Sequence, residues 1–126
     1  LTRVVNNANG LAKVELKERS FMTPGILSAR GLTIALMTDH PATPIQYLPL
    51  CAALAVKEGM SEEEALKAIT INSAKILGLE KEIGSIEPGK LADIIISDKP
   101  ILQLEATVEI VLIKGCVVYE SSNQNT

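Results

Sequence analysis

The feature that most constrains the fold of this chain is the apolar segment 33–38, which carries no charge and ends in Asp39 and His40. A continuous apolar run of this length is typical of a strand buried on both faces, and helices on each side of a parallel sheet bury strands in this way. The segment therefore predicts an α/β fold. It also places a carboxylate and the only histidine of the chain at the carboxyl end of a strand, where such folds usually carry their chemistry.

Composition predicts an aliphatic interior and excludes several classes of function. The chain has 126 residues, of which 47% are hydrophobic but only 2% aromatic, with no Trp. That length corresponds to one domain or a large part of one. A net charge of -3 without a basic cluster argues against a nucleic-acid partner. Since no apolar run approaches the roughly 20 residues of a membrane span, we also expect no membrane segment.

The two cysteines, Cys51 and Cys116, are far apart and match no metal-binding spacing. They leave two interpretations open, buried free thiols or a disulfide or ligand pair. Free cysteine is among the most buried residue types, and disulfides are rare in the cytosol. We therefore interpret both as buried thiols of a cytoplasmic protein.

Local signals predict two helices on either side of the apolar segment. The first spans residues 24–30, with Thr23 as its N-cap, Pro24 at the first helical position and Gly31 just past the end. The second spans residues 46–58 and should be largely buried, because few of its residues are polar.

A third helix is expected from Ser61 to the residue before Gly78. The sequence Ser61-Glu62-Glu63-Glu64 is a capping box, in which Ser61 accepts from the amide of Glu64 and Glu64 reaches back to the amide of Ser61. Carboxylates in the first turn also favour the positive end of the helix dipole. We interpret Glu62–Glu64 as a helix start and not as an acid–base pair.

Beyond Gly78 the pattern changes to that of short strands. In the turn that follows the first of them, Pro88 and Gly89 occupy type II positions, and Asp93 is expected to accept amides beside Gly89. Lys114-Gly115 is expected to form a two-residue hairpin turn. The expected strands are Ser85-Ile86, 91–97, 108–113 and 116–119.

The two ends of the chain carry weaker signals. Residues 1–5 can be read as the stub of a strand, 6–10 as a turn, and 13–20 as a short helix or a loop. Residues 121–126 form a polar tail, in which we expect fraying.

Three stretches carry a further signal: Thr38-Asp39-His40-Pro41, the run Ala68 to Gly78, and the run Gly84 to Ile95. Together they resemble the C-terminal third of the amidohydrolase superfamily, and most of all its imidazolonepropionase-like branch. The resemblance extends over about residues 13–119. It implies a metal-dependent hydrolase on a TIM-type (β/α)8 barrel flanked by a small β-sandwich. Residues 1–80 would then hold the last βα unit of the barrel, 81–120 strands of the sandwich, and 121–126 the tail.

The resemblance implies a role for Asp39 that local sequence leaves open. By local sequence alone, Asp39 is more readily an N-cap or loop carboxylate of the following helix. By resemblance it matches the aspartate at the end of the eighth barrel strand, which ligates a divalent metal, zinc being expected, and takes a proton from the attacking water. His40 is either a loop histidine held by a backbone group or a contact to the substrate or the metal ligands. Asn72 is expected to bond backbone near a helix end, without a chemical role.

The other ligands of the family have no counterpart in the chain, because His40 is its only histidine. A catalytic zinc usually takes three protein ligands, and a complete barrel needs about 250 residues. We therefore expect a C-terminal fragment of an enzyme that hydrolyses a C–N bond in a small-molecule amide. The isolated chain should be inactive, bind no metal tightly and self-associate. Two alternatives stay open: a non-catalytic scaffold or interaction module, and a different barrel hydrolase with a substituted metal site.

Overall fold

The computed structural model of the chain describes residues 2–3 and 20–122. Helices and a short parallel sheet come first, and a three-stranded antiparallel sheet follows. The α/β class expected from the sequence is confirmed. Of the strand expected at 33–38, only Leu36–Met37 is formed among the described residues, where it pairs with Thr2–Arg3. The elements are β1 (Thr2–Arg3), α1 (Thr23–Ala29), β2 (Leu36–Met37), a 3₁₀ turn (Ile45–Tyr47), α2 (Leu48–Lys57), α3 (Glu62–Ala68), α4 (Ile71–Leu77), β3 (Ile94–Ser97), β4 (Val108–Ile113) and β5 (Cys116–Glu120).

The strands form two separate sheets. β1 pairs with β2 in parallel, with Thr2 opposite Leu36. The other sheet has the order β3-β4-β5, and both of its strand pairs are antiparallel. The strand stub expected at residues 1–5 is thus present at Thr2–Arg3. Three expected features lie wholly or mostly outside the described residues. They are the turn at 6–10, residues 13–19 of the short helix or loop expected at 13–20, and residues 123–126 of the tail.

The core lies where β2 and the segment before it meet α2 and α3. More than half of its buried members are alanines on the two helices, and small side chains allow helices to pack closely. The aliphatic interior expected from composition is therefore confirmed. The buried members are Ile34, Leu36, Ala52, Ala55, Met60, Ala65 and Ala68.

The first helix differs from the prediction at its start. Thr23 is already helical, and the cap position is held by Met22 without a side-chain hydrogen bond. Ser20 Oγ instead accepts from the Met22 amide at 3.1 Å. Thr23 as N-cap was therefore wrong, because the chain enters the helix through this earlier serine turn. The second predicted helix is confirmed as the 3₁₀ turn and α2, but only Cys51, Ala52 and Ala55 of α2 are buried.

A single third helix was wrong, because the structure has α3 and α4 with a break at Ile69-Thr70. Thr70 Oγ1 donates to the carbonyl of Leu66 at 2.6 Å, and Ser73 Oγ donates to the carbonyl of Ala68 at 3.2 Å. Hydroxyls that bond nearby carbonyls compete with the helical hydrogen bonds, and β-branched residues weaken a helix further. Two such hydroxyls beside a β-branched run explain the break.

The predicted capping box is half formed. Ser61 Oγ accepts from the Glu64 amide at 3.2 Å, which confirms the helix start at Glu62–Glu64. The Glu64 carboxylate does not reach back to Ser61. It accepts from Ser28 Oγ at 3.3 Å and from Lys67 Nζ at 2.9 Å, and the Lys67 hydrogen bond lowers the pKa of Glu64. Hydrogen bonds from Ser28 on α1 and from Lys67 on α3 therefore take the place of the expected bond from Glu64 to the Ser61 amide.

The strand expected at Ser85-Ile86 is absent, and these residues belong to a loop. Ser85 Oγ donates to Glu87 Oε1 at 2.6 Å and accepts from Lys90 Nζ. The amide of Lys90 also donates to the carbonyl of Glu87, and Gly89 has φ +92°, as the predicted turn requires. The side chains of Ser85, Glu87 and Lys90 thus bond one another within the turn, and the strand expected at 91–97 is confined to Ile94–Ser97.

The hairpin turn between β4 and β5 is confirmed. Lys114 has φ +51° and Gly115 has φ +77°, and positive φ at both positions is the type I′ pattern. Asp93 Oδ1 accepts from the Lys114 amide at 2.8 Å, so its predicted place beside Gly89 was wrong. Because Ile94 pairs with Leu112, Asp93 lies beside the end of β4 and serves that turn.

The two cysteines have different environments. Cys51 is buried, as predicted, and burial raises its pKa. Cys116 is exposed, so the prediction was wrong for this residue, which opens the edge strand β5. Both are free thiols. Among the described residues, no helix is long and apolar enough to cross a membrane.

Candidate active site at the end of the second strand

Asp39 lies just after β2, at the carboxyl end of the parallel strand pair. The preceding residue, Thr38, is only 3% exposed, whereas Asp39 is partly exposed. Asp39 has φ +57°, a conformation that aspartate and asparagine adopt more readily than most residues. Its carbonyl accepts from the Ala42 amide at 2.9 Å, which closes a turn. The chain therefore turns sharply as soon as the buried strand ends.

The structure excludes one of the two local interpretations of Asp39. Pro44 occupies the cap position of the 3₁₀ turn, and Tyr47 occupies that of α2. Neither helix start receives a side-chain cap hydrogen bond. Asp39 is thus not the N-cap of the following helix. A loop carboxylate and a site carboxylate remain as its possible roles.

His40 is exposed and is joined to Pro41 by a cis peptide bond. His40 lies within the turn that the Asp39 carbonyl and the Ala42 amide close, so both predicted site residues belong to this turn. Whether His40 contacts a substrate stays a prediction.

Asn72 lies in the first turn of α4 and is 6% exposed. Its Nδ2 donates to the carbonyl of Ile34 at 3.0 Å. The prediction that Asn72 bonds backbone is confirmed, but the partner is the segment that leads to Asp39 and not a helix end. The signal was present in the sequence. Asn72 follows Ala65 and Ala68 at helical spacing, and a polar residue on a buried face needs a partner.

The described residues do not make a metal site by themselves. No group of three or more His, Cys, Asp or Glu side chains that could hold a metal ion occurs within residues 2–3 and 20–122. A catalytic zinc usually takes three protein ligands. A single carboxylate such as that of Asp39 is therefore too few ligands for a catalytic zinc.

Comparison with known proteins identifies the family. The sequence pattern of the amidohydrolase family matches residues 5–119, which is most of the chain. This chain belongs to the amidohydrolase family. The resemblance stated from the sequence is thereby confirmed. Amidohydrolases are hydrolases that act on carbon–nitrogen bonds, and they typically use a divalent metal.

The relatives of this amidohydrolase chain include several imidazolonepropionases. The enzyme of Symbiobacterium thermophilum is 42% identical over 73 residues, which are 56% of this chain and 17% of that protein. The enzyme of Alkaliphilus oremlandii is 39% identical over 104 residues, which are 74% of this chain and 24% of that protein. The imidazolonepropionase-like branch expected from the sequence is therefore confirmed.

Two solved structures share the fold of the amidohydrolase chain. An amidohydrolase from Thermotoga maritima MSB8 superposes with a TM-score of 0.87 at 41% identity, covering 94% of this chain and 31% of that chain. A Xaa-Pro dipeptidase with bound methionine in its active site gives a TM-score of 0.68 at 29% identity, covering 80% of this chain and 25% of that chain. The chain thus spans between a sixth and a third of the proteins it matches.

Proposed function

We propose that this chain is the C-terminal part of a longer metal-dependent amidohydrolase, called here the parent enzyme, which adds water across a C–N bond of a small-molecule amide. The observation that carries the proposal is the position of Asp39. In a chain of this family, a carboxylate at the carboxyl end of a parallel strand stands where α/β enzymes usually place their catalytic groups.

Asp39 is proposed to be one ligand of a divalent metal, with zinc the expected ion, and the other ligands are expected from outside this chain. When bound, such a metal lowers the pKa of water toward neutrality. The Asp39 carboxylate would accept the proton of the attacking water and deliver it to the leaving nitrogen, which must be protonated to depart. His40, next to it, is proposed to contact the substrate or the metal ligands.

The relatives favour one class of substrate. The proteins named imidazolonepropionase are 39% and 42% identical to this chain, whereas the Xaa-Pro dipeptidase is 29% identical. We therefore place a cyclic amide or amidine of the imidazolone type ahead of a dipeptide. An imidazolone that carries a propionate group is the first compound to test.

The same proposal divides the chain into parts. Residues 1–80 would complete the TIM-type barrel, residues 81–120 would belong to a β-sandwich, and 121–126 would form its tail. The separation of the parallel pair β1–β2 from the antiparallel sheet β3-β4-β5 supports this division. Two free thiols support a cytoplasmic location.

The test compares the 126-residue chain with the parent enzyme expressed from its complete reading frame. We expect the parent enzyme to hydrolyse the imidazolone, and the chain alone to show no turnover and no stoichiometric zinc. Turnover by the chain alone, together with bound zinc, would overturn the proposal that the other metal ligands lie outside this chain.

The alternative, a non-catalytic scaffold or interaction module, is favoured by the shortage of ligands among the described residues. It predicts a reading frame that adds no further histidine ligands for a metal.

We also propose that the 126-residue chain self-associates through the edge strand β5. All five of its residues are exposed, and the neighbours Val117 and Val118, on opposite faces, are 57% and 56% exposed. An exposed apolar edge strand pairs readily with another strand. A second copy fits, because antiparallel pairing about Val118 puts Val117 opposite Tyr119 in both halves.

Light scattering at increasing concentration is expected to give a mass above that of one chain. Val118→Lys should shift the mass toward the monomer, since it places a charge at the centre of the pairing. Leu104→Lys is the control, because Leu104 is an apolar side chain that is 77% exposed and lies outside the sheet. A single-chain mass at every concentration would contradict self-association, and an equal response to both variants would contradict the role of β5.

A further inference from the structure

A buried hydrogen bond connects α4 to the segment that carries Asp39. The amide of Asn72 donates to the carbonyl of Ile34 at 3.0 Å, and both residues are 6% exposed. The partners are 38 positions apart in sequence, so the bond is a tertiary link and not part of a local turn. Because the bond is shielded from water, loss of the donor would leave the Ile34 carbonyl without a replacement partner.

Among the described residues, the segment held by this bond has little other backbone pairing. In the described part of the chain, Leu36–Met37 is the only portion of this segment that forms a strand. It pairs there with the two-residue strand β1. Ile34 to Leu36 and Thr38 are buried, so the segment is packed closely up to the residue before Asp39. A packed, extended segment transmits a displacement along its length. Movement at the Ile34 carbonyl should therefore reach Asp39, five positions later.

The helix that provides Asn72 is itself fixed on another face. A Cβ placed on Gly84 would lie 2.8 Å from Ala74 Cβ and 2.9 Å from Ile71 Cα, so the Gly84 backbone lies directly against α4. By helical geometry, Ile71 and Ala74 share a face from which Asn72 points away. The donor therefore extends from a helix that the Gly84 loop supports from behind.

We infer that Asn72 is a positioning residue. Its hydrogen bond fixes the position of the segment that leads to Asp39, and so places the Asp39 carboxylate at the reacting groups. Asn72 itself does not touch the substrate. The catalytic consequence rests on the proposed function. The structural consequence, that Asn72 sets the placement of Asp39, does not rest on it and is measured in the 126-residue chain.

The first measurement uses Asn72→Leu in the 126-residue chain, with Ser73→Ala as the matched control. Ser73 is the next residue on α4, and its Oγ donates to the carbonyl of Ala68, so the control removes a hydrogen bond that does not involve the strand. Asn72→Leu should accelerate amide hydrogen exchange in β2 by about tenfold or more and shift the backbone resonances of Asp39. Ser73→Ala should leave both unchanged.

The second measurement uses the same variants in the parent enzyme. Asn72→Leu should lower kcat by roughly 10- to 100-fold with little change in KM, because a misplaced catalytic group slows the chemical step more than it weakens binding. Ser73→Ala should keep both constants. If the unmodified enzyme shows no turnover, the proposed function fails while the resonances of Asp39 still decide the placement.

Two results would overturn the inference. One is a loss of thermal stability in Asn72→Leu with unchanged Asp39 resonances, and the other is an unchanged kcat. If Asn72→Leu does not fold, Asn72→Ser takes its place. A serine hydroxyl there is too short to reach Ile34 and can bond a carbonyl one turn back along the chain, as Thr70 does with the carbonyl of Leu66.

Discussion

Replacing Asp39 with asparagine is expected to lower kcat of the parent enzyme by roughly 10²- to 10⁴-fold, the usual contribution of a general acid–base group. Asparagine has the shape of aspartate and tolerates the positive φ of this position. It lacks the basic oxygen that would collect the proton from water. The fold should therefore survive while the proton transfer is lost, as steady-state kinetics and a melting curve on the same sample will show.

The control for this variant is Asp93→Asn. Asp93 accepts the Lys114 amide in the antiparallel sheet, so its replacement removes a carboxylate of the same chain at a structural position. We expect kcat close to that of the unmodified enzyme. A kcat for Asp39→Asn within about threefold of the unmodified enzyme, well below the general acid–base range, would mean that the Asp39 carboxylate moves no proton.

The largest effect on stability is expected for Gly84→Ala, which should lower the free energy of unfolding of the 126-residue chain by roughly 3 kcal/mol. Two costs add together. The new Cβ would overlap Ala74 Cβ at 2.8 Å and Ile71 Cα at 2.9 Å, and a helix backbone cannot move aside cheaply. The φ of +93° is also unfavourable for alanine. Urea unfolding measures the sum.

Gly89→Ala separates these two costs. Gly89 has nearly the same φ, +92°, but its Cβ would meet nothing within 4 Å. The control should therefore show only the backbone cost, about 1–2 kcal/mol. Equal losses in the two variants would contradict the close packing of the Gly84 loop against α4.

Local chemistry explains which elements were predictable from the sequence. The start of α3 was predicted because Ser61 and the Glu64 amide are three residues apart, and the hairpin turn because glycine follows Lys114 between two apolar runs. The bonds from Ser28 to Glu64 and from Lys114 to Asp93 were not predicted, because these residues are distant in sequence and meet only in the folded chain. The side-chain bonds of single hydroxyls, which interrupt the third helix, also leave little trace in a hydrophobic pattern.

The candidate site was also predictable only in part. An apolar run that ends in a carboxylate was enough to predict the place of Asp39 at a strand end. Its proposed chemical role came from the family resemblance, because one carboxylate can serve a loop, a helix start or a metal equally well. The link from Asn72 to Ile34 joins residues 38 positions apart, so the sequence predicted that Asn72 bonds backbone but not which backbone group it reaches.

The parallel pairing of Thr2 with Leu36 has a consequence for the order of folding. Its partners are separated by a long stretch of chain, whereas the two-residue turn at Lys114-Gly115 brings β4 and β5 together directly. Closing a long loop costs more entropy than closing a short one, and hairpins form within about 1–10 μs. The antiparallel sheet can therefore be complete before the strand that precedes Asp39 has paired with its neighbour, which makes the candidate site a late product of folding.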